Sequence, residues 1–310
     1  FYCLLGPKHE GGPYSEGRAF SVVGGELPKR LIESCRNKRA IDLSPTLSPQ
    51  LPVTSPGIGT GNHRQVYLKV DFLYSEYLDM WHHGHLTDAM AGTHLVPPSY
   101  ALPADDKPIP YAPEVRGWLE EYETKYGRRG SSTRTTEQVP IEWTCGEARV
   151  IDVRSLVGST QQAHWPASPE ITVEHVQAYE RTTGNLRPGE VVIFRTGHND
   201  KYLRPQPADA GLWLEPLQGK SEGWSAPGPD VIAYLKEKGI RCVASDAPDL
   251  GGVDPRKALM TYWALGSREM VGVEFLVNVD KIPVQGAYFL FAAVKVRDCH
   301  GGPGRAIVLW

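Results

Sequence analysis

The stretch "SPEITVEHVQAYERTTGNLRPGEVVIFRTG", residues 168–197, decides the fold class. Thr172 stands at the head of an amphipathic segment as a natural N-cap, with His175 at the capping-box position. Gly184 closes the segment as a C-cap, "LRPGE" turns the chain, and "VVIFR" follows as an apolar β-branched run, the mark of a buried strand. "GPDVIAYLKEKGIRCVASDAP" (228–248) repeats the plan: helix to Lys238, Gly239 as stop, strand Arg241 to Ser245. Outward from these two units, "RQVYLKVDFLY" (64–74) alternates as a strand and "EVRGWLEEYETKYG" (114–127) reads as a helix. "RRGSSTRTTEQ" (128–138) reads as a polar, mobile loop, and "ARVIDVRSL" (148–156) as a strand. "MVGVEFLVNVDKIP" (270–283) gives a strand and turn, and "AYFLFAAVKVRD" (287–298) with "RAIVLW" (305–310) gives a closing strand pair. Helices alternating with strands, then strands gathering at the end, predict an α/β or mixed α+β domain on a mixed sheet.

Composition narrows the function classes. Hydrophobic residues make up 41% and charged residues 22% of the 310, with net charge −3 and no basic block, against nucleic acid or an anionic membrane as partner. No apolar run reaches the length of a membrane span. Cys3, Cys35, Cys145, Cys242 and Cys299 are scattered and form no C-x-x-C pair, so free thiols in a reducing compartment are the plain reading. The expected localisation is cytoplasmic; export after removal of a leader is the alternative. "GIGTGN" (57–62) lacks the Lys-Ser/Thr ending of a phosphate loop and reads as an ordinary loop. Residues 1–40 read as an irregular N-terminal extension and 41–310 as one domain with an insert around 101–140.

Chemistry concentrates in "WHHGHLTDAMAGTH" (81–94), where four of the ten histidines fall, with Asp88 among them. On an extended segment His83 and His85 project to one face, a geometry for two imidazoles on one ion; a solvated loop is the bland alternative. Asp246 and Asp249 follow a strand at the end where α/β sites form, though both also suit turns. His198 ends a strand in "RTGHND" and reads as a surface-loop residue or a substrate contact. Trp81, Trp165, Trp213, Trp224 and Trp263 suit packing or an aromatic pocket.

These stretches, in order, resemble the cyclase family of metal-dependent hydrolases that includes kynurenine formamidases and isatin hydrolases. "GTHLVPPSY" (92–100) matches part of the family's His-x-Gly-Thr-His-x-Asp-x-Pro-x-His motif. "VIDVRSL", the 171–200 helix–turn–strand, "VIAYLKEKGIRCVASDAPDL" and "GVEFLVNVDKIP" match later segments, so the resemblance spans roughly 41 to 310. It implies a swivelling β/β/α fold with a mixed sheet, assembled as a homodimer or homotetramer. It also implies hydrolysis of an amide in a small molecule by water on a divalent ion, zinc or manganese. In the motif the second histidine maps to His94 and the late glutamate to Glu274. The first histidine maps to Met90, the aspartate to Val96, the catalytic histidine to Tyr100, and the late histidine falls in "MTYWALG" (260–266). Thioether and valine cannot stand in for imidazole and carboxylate.

Three readings follow. In one, His83 or His85, perhaps with Asp88, joins His94 and Glu274 around a rebuilt ion site. In another, a metal-free His94–Glu274 pair does acid–base chemistry, helped by Tyr100, Tyr262 or Asp246. In the third, the protein binds a ligand or serves in assembly without turnover. The expected enzyme is a hydrolase or lyase acting on a cyclic amide, formamide or lactone, with Trp165, His198, Tyr262 and Met90 as substrate contacts.

Overall fold

A computed structural model describes residues 33, 37, 39–48, 51–52, 67–75, 80–107, 109–205 and 208–310, and only the backbone of 67–75 and 80–87. The glycine loop at 57–62, Cys3 and Cys35 lie outside the described residues. Central to the fold is a sheet of strands β1 (Ala40–Asp42), β4 (His94–Val96), β5 (Cys145–Asp152), β7 (Val191–Arg195), β9 (Cys242–Ser245), β10 (Val271–Glu274), β11 (Ala287–Ala293) and β12 (Gly302–Leu309). Its order is β1-β12-β11-β5-β7-β9-β10-β4, and β4 also pairs with β12, so the sheet closes into a barrel-like ring. Strands β5, β7, β9 and β10 run parallel, and the remaining pairings of this sheet are antiparallel.

The two-residue period of the strands sorts their side chains onto two cores. Val150, Ile193, Ala244, Val273, Phe289 and Val308 pack together on one face of the ring. Ile151, Phe194 and Val243 pack on the other, against helices α1 (Pro113–Tyr126), α2 (Val173–Thr183), α3 (Pro229–Glu237) and α4 (Pro255–Ser267). Burial on both faces explains why the parallel strands read as unbroken apolar runs. Two small pairs stand apart: β2 (Tyr67–Ser75) with β3 (Met80–Thr87), and β6 (Glu170–Ile171) with β8 (Ala226–Pro227).

The sequence expectations hold for most elements and fail at definite places. Helix α2 starts at Thr172 as expected, and His175 completes the box: the Thr172 N–H donates to its Nδ1 at 2.9 Å. Gly184 and Gly239 take φ of 87° and 81°, the left-handed turn glycine tolerates. The strand expected at 148–156 is shifted, starting at Cys145 and giving way to a 3-10 turn at Arg154–Leu156. The polar run 128–138 is not a solvated loop, because Arg129, Thr135 and Thr136 are buried. Helix α4 went unrecognised, although Asp254 accepts from the backbone N–H groups of Arg256 and Lys257 and Pro255 opens the first turn. No helix among the described residues is long and apolar enough to cross a membrane.

Candidate acid–base site at the closure of the sheet

Strand β4 is short, and its position depends on Gly92 and Thr93. Gly92 has φ of 59°, and a Cβ there would meet the Leu47 side chain at 2.8 Å. The Thr93 hydroxyl donates to the Phe275 carbonyl at 2.9 Å, tying the turn to the end of β10. Phe275 itself is held at φ of 63°, a conformation rare for an aromatic residue. Locally stored strain of this kind gathers at functional sites. His94 is the antiparallel partner of Glu274, so their side chains are neighbours across the pair.

Both are 2% exposed, and His94 Nε2 lies 3.1 Å from Glu274 Oε2. His94 Nδ1 lies 2.8 Å from the Gly92 carbonyl, which can only accept, so Nδ1 carries a proton. The Nε2–Oε2 distance is that of a hydrogen bond between imidazole and carboxyl group. Glu274 Oε1 accepts from the Tyr262 hydroxyl at 2.7 Å and from the Leu250 N–H at 2.9 Å. A carboxylate has about four acceptor positions. Three are filled, and the open one is on Oε2 beside His94.

Tyr262 sits edge-on to Tyr100, with ring centroids 5.0 Å apart. Burial and the charge of Glu274 push both phenols up, keeping them protonated as donors. Tyr100 is 43% exposed, yet its hydroxyl feels Glu274, Asp249 and Asp88, so its ring spans from surface to site. Asp249, expected either at a strand-end site or in a turn, lies close to Glu274. Its Oδ1 accepts from Trp224 Nε1 at 3.0 Å and from the N–H groups of Gly251 and Gly252. Burial and the nearby Glu274 charge raise this carboxyl to about 7, against the pull of those three donors. An Asp set before two glycines after a strand was the available signal; what sequence could not show is its burial.

Other expected residues fall elsewhere. Asp246 bonds the Thr196 N–H and hydroxyl and the Gly197 N–H, joining β7 to β9, and burial raises it to about 6. His198 is buried rather than on a surface loop. It opens a short helix, its Nε2 bonds the Leu212 carbonyl at 2.7 Å, and burial lowers it to about 4, leaving a neutral ring against Trp224. Trp165 donates to Thr160 Oγ1 at 2.9 Å. Trp213, Trp224 and Trp263 are core residues. Met90 packs on Gly301, where a Cβ would meet its Cε at 2.5 Å, and its N–H bonds Asp88 Oδ1 at 2.7 Å. The side chains of His82, His83, His85 and Trp81 lie outside the described residues.

A resident divalent ion takes three or four protein donors. Among the described residues no three His, Cys, Asp or Glu side chains converge on one point. His94 and Glu274 supply two donors, while Val96 at the third expected position is core. Tyr262, on the segment expected to bring a histidine, donates to Glu274 rather than to an ion. The described donor set therefore does not fit a divalent ion.

Comparison with known proteins gives a consistent picture. The model of the family described as "Putative cyclase" matches residues 41–251. The isatin hydrolase of Roseibium aggregatum is 27% identical over 199 residues, covering 58% of this chain and 72% of that protein. An isatin hydrolase solved with the product analogue thioisatinate superposes with a TM-score of 0.65 at 20% identity, covering 93% of this chain and 99% of that one. A protein of Bacillus stearothermophilus described as a predicted metal-dependent hydrolase gives a TM-score of 0.53 at 15% identity, over 87% and 97% of the two chains.

Proposed function

The chain belongs to the cyclase family, and from that premise we infer that it hydrolyses a small cyclic amide or related carbonyl compound through the His94–Glu274 pair. The observation that carries this reading is the His94 imidazole, fixed at Nδ1 by the Gly92 carbonyl and facing Glu274 at 3.1 Å. Water bound at the open position of Glu274 Oε2 attacks the carbonyl carbon and gives its proton to Glu274. The C–N bond breaks as the leaving nitrogen takes the proton from His94 Nε2. Passage of the proton from Glu274 back to His94 across their contact resets the pair. Tyr100, a neutral phenol beside Tyr262, is placed to donate to the oxyanion of the tetrahedral intermediate. A small-molecule substrate and a homodimer or homotetramer complete the reading.

Isatin, named by the relatives, is the first substrate to assay. Hydrolysis by the wild type, with kcat/KM reduced by about 10²–10⁴ in His94→Ala and in Glu274→Gln, is the expected result. Metal content per chain, measured on untagged protein by plasma mass spectrometry, decides the mechanism. One equivalent of zinc or manganese, lost in His83→Ala or His85→Ala, would replace the acid–base pair with a rebuilt ion site. Light scattering would test the assembly, a monomer being the result against it.

A further inference from the structure

At the carboxyl end of β7 the chain passes through Thr196 and Gly197 into the short helix that His198 opens, and a cavity of about 60 Å³ lies there. Neither His94 nor Glu274 lines it. A water-sized group needs about 10–15 Å³ of such space, so the cavity has room for roughly four to six of them. The carboxyl end of a parallel strand is also where α/β sheets take their ligands.

Three polar groups of the lining are left without a complement. Ser225 is 3% exposed, and its hydroxyl makes no hydrogen bond among the described residues. A buried hydroxyl left unpaired is costly, and a ligand in the cavity would relieve it. His198 Nε2 donates to the Leu212 carbonyl at 2.7 Å, and burial keeps the ring neutral, so Nδ1 is a bare acceptor. No described residue donates to that nitrogen. Lys201 is exposed at the rim and forms no ion pair among the described residues. Its Nζ lies 4.7 Å from the centre of the Tyr202 ring, which in turn lies 4.8 Å from the His198 ring.

The carboxylates nearby are already engaged. Glu222 accepts from the N–H groups of Gly158 and Thr160 and from the Thr160 hydroxyl, fixing the loop that forms one wall. Asp246 is held by Thr196 and Gly197 behind the cavity. The lining therefore offers one cation, one hydroxyl and one acceptor. We propose that this cavity is a second binding site, for a small 2-hydroxy carboxylate. The carboxylate lies between the Lys201 ammonium and the Ser225 hydroxyl, and the alcohol donates to His198 Nδ1. The site uses no group of the His94–Glu274 pair, so it stands or falls independently of the hydrolysis proposed above.

Ligand-observed NMR titration of the full chain with glycolate, acetate and glycolamide tests the site. Glycolate should bind saturably. Acetate lacks the alcohol and glycolamide lacks the charge, so each should bind at least tenfold more weakly. Ser225→Ala and Lys201→Met should each weaken glycolate binding at least fivefold. In chemical denaturation Ser225→Ala should keep or raise the wild-type midpoint, since the hydroxyl has no partner within the protein to lose. Absence of saturable glycolate binding, equal affinity for acetate, or unchanged glycolate affinity in either variant would overturn the proposal. A lowered midpoint in Ser225→Ala would also overturn it, by showing that the hydroxyl serves the fold.

Discussion

At Glu274 two oxygens divide four acceptor positions among a tyrosine, a backbone N–H, an imidazole and one opening. Removing the phenol by Tyr262→Phe leaves Oε1 with one partner in a buried setting. A lost hydrogen bond to a charged group costs about 1.5–3 kcal/mol, so the denaturation midpoint should fall without a change in fold. Tyr100→Phe should instead lower kcat about tenfold or more and leave KM nearly unchanged, since its proposed bond forms to the oxyanion. Asp246 offers a pH readout away from the site. Burial raises its carboxyl to about 6, so the folded state keeps a proton that the unfolded chain releases near pH 4. Its stabilising contribution is full below about pH 4 and declines as pH rises toward 6, by about 1.4 kcal/mol per pH unit. Asp246→Asn should flatten that part of the stability curve; a slope identical to wild type across pH 4–6 would count against the shift.

Elements show why some of this was legible in sequence and some not. Helix α2 announced itself by periodicity and by Thr172, and its box uses an imidazole nitrogen where a carboxylate or amide oxygen usually serves. Replacing His175 by Gln should leave stability within about 0.5 kcal/mol, while His175→Ala should cost about 1 kcal/mol in chemical denaturation, as for other lost caps. Helix α4 escaped notice because Met260 to Gly266 are all buried, so its polar face is too narrow to reveal a period. The run 128–138 looked solvated because Arg and Thr are usually exposed, and only tertiary packing buries them. His94 and Glu274 were singled out through the family resemblance, whose motif histidine and late glutamate fall on them, and the structure places the two side chains together. Asp249 stayed open between site and turn, since an aspartate near glycines is common in both.

For the whole molecule, the parallel core was readable because both faces of its strands are buried, which leaves apolar runs in the sequence. Ring closure was not, because β4 is three residues long and meets partners far away in the chain. His94 and Glu274 are 180 residues apart, and Pro303, the partner of His94 in β12, is farther still. Contacts of such long separation carry the largest loop-closure entropy and form late in folding. The strand that seals the ring is also the strand that carries His94, so the proposed His94–Glu274 pair depends on β4 taking its place beside β10. In refolding experiments, tryptophan fluorescence from the buried Trp213, Trp224 and Trp263 should recover before hydrolysis does. The lag between the two would time the docking of β4, and a form in which β4 has left β10 would lose the proposed pair and bare two strand edges at once.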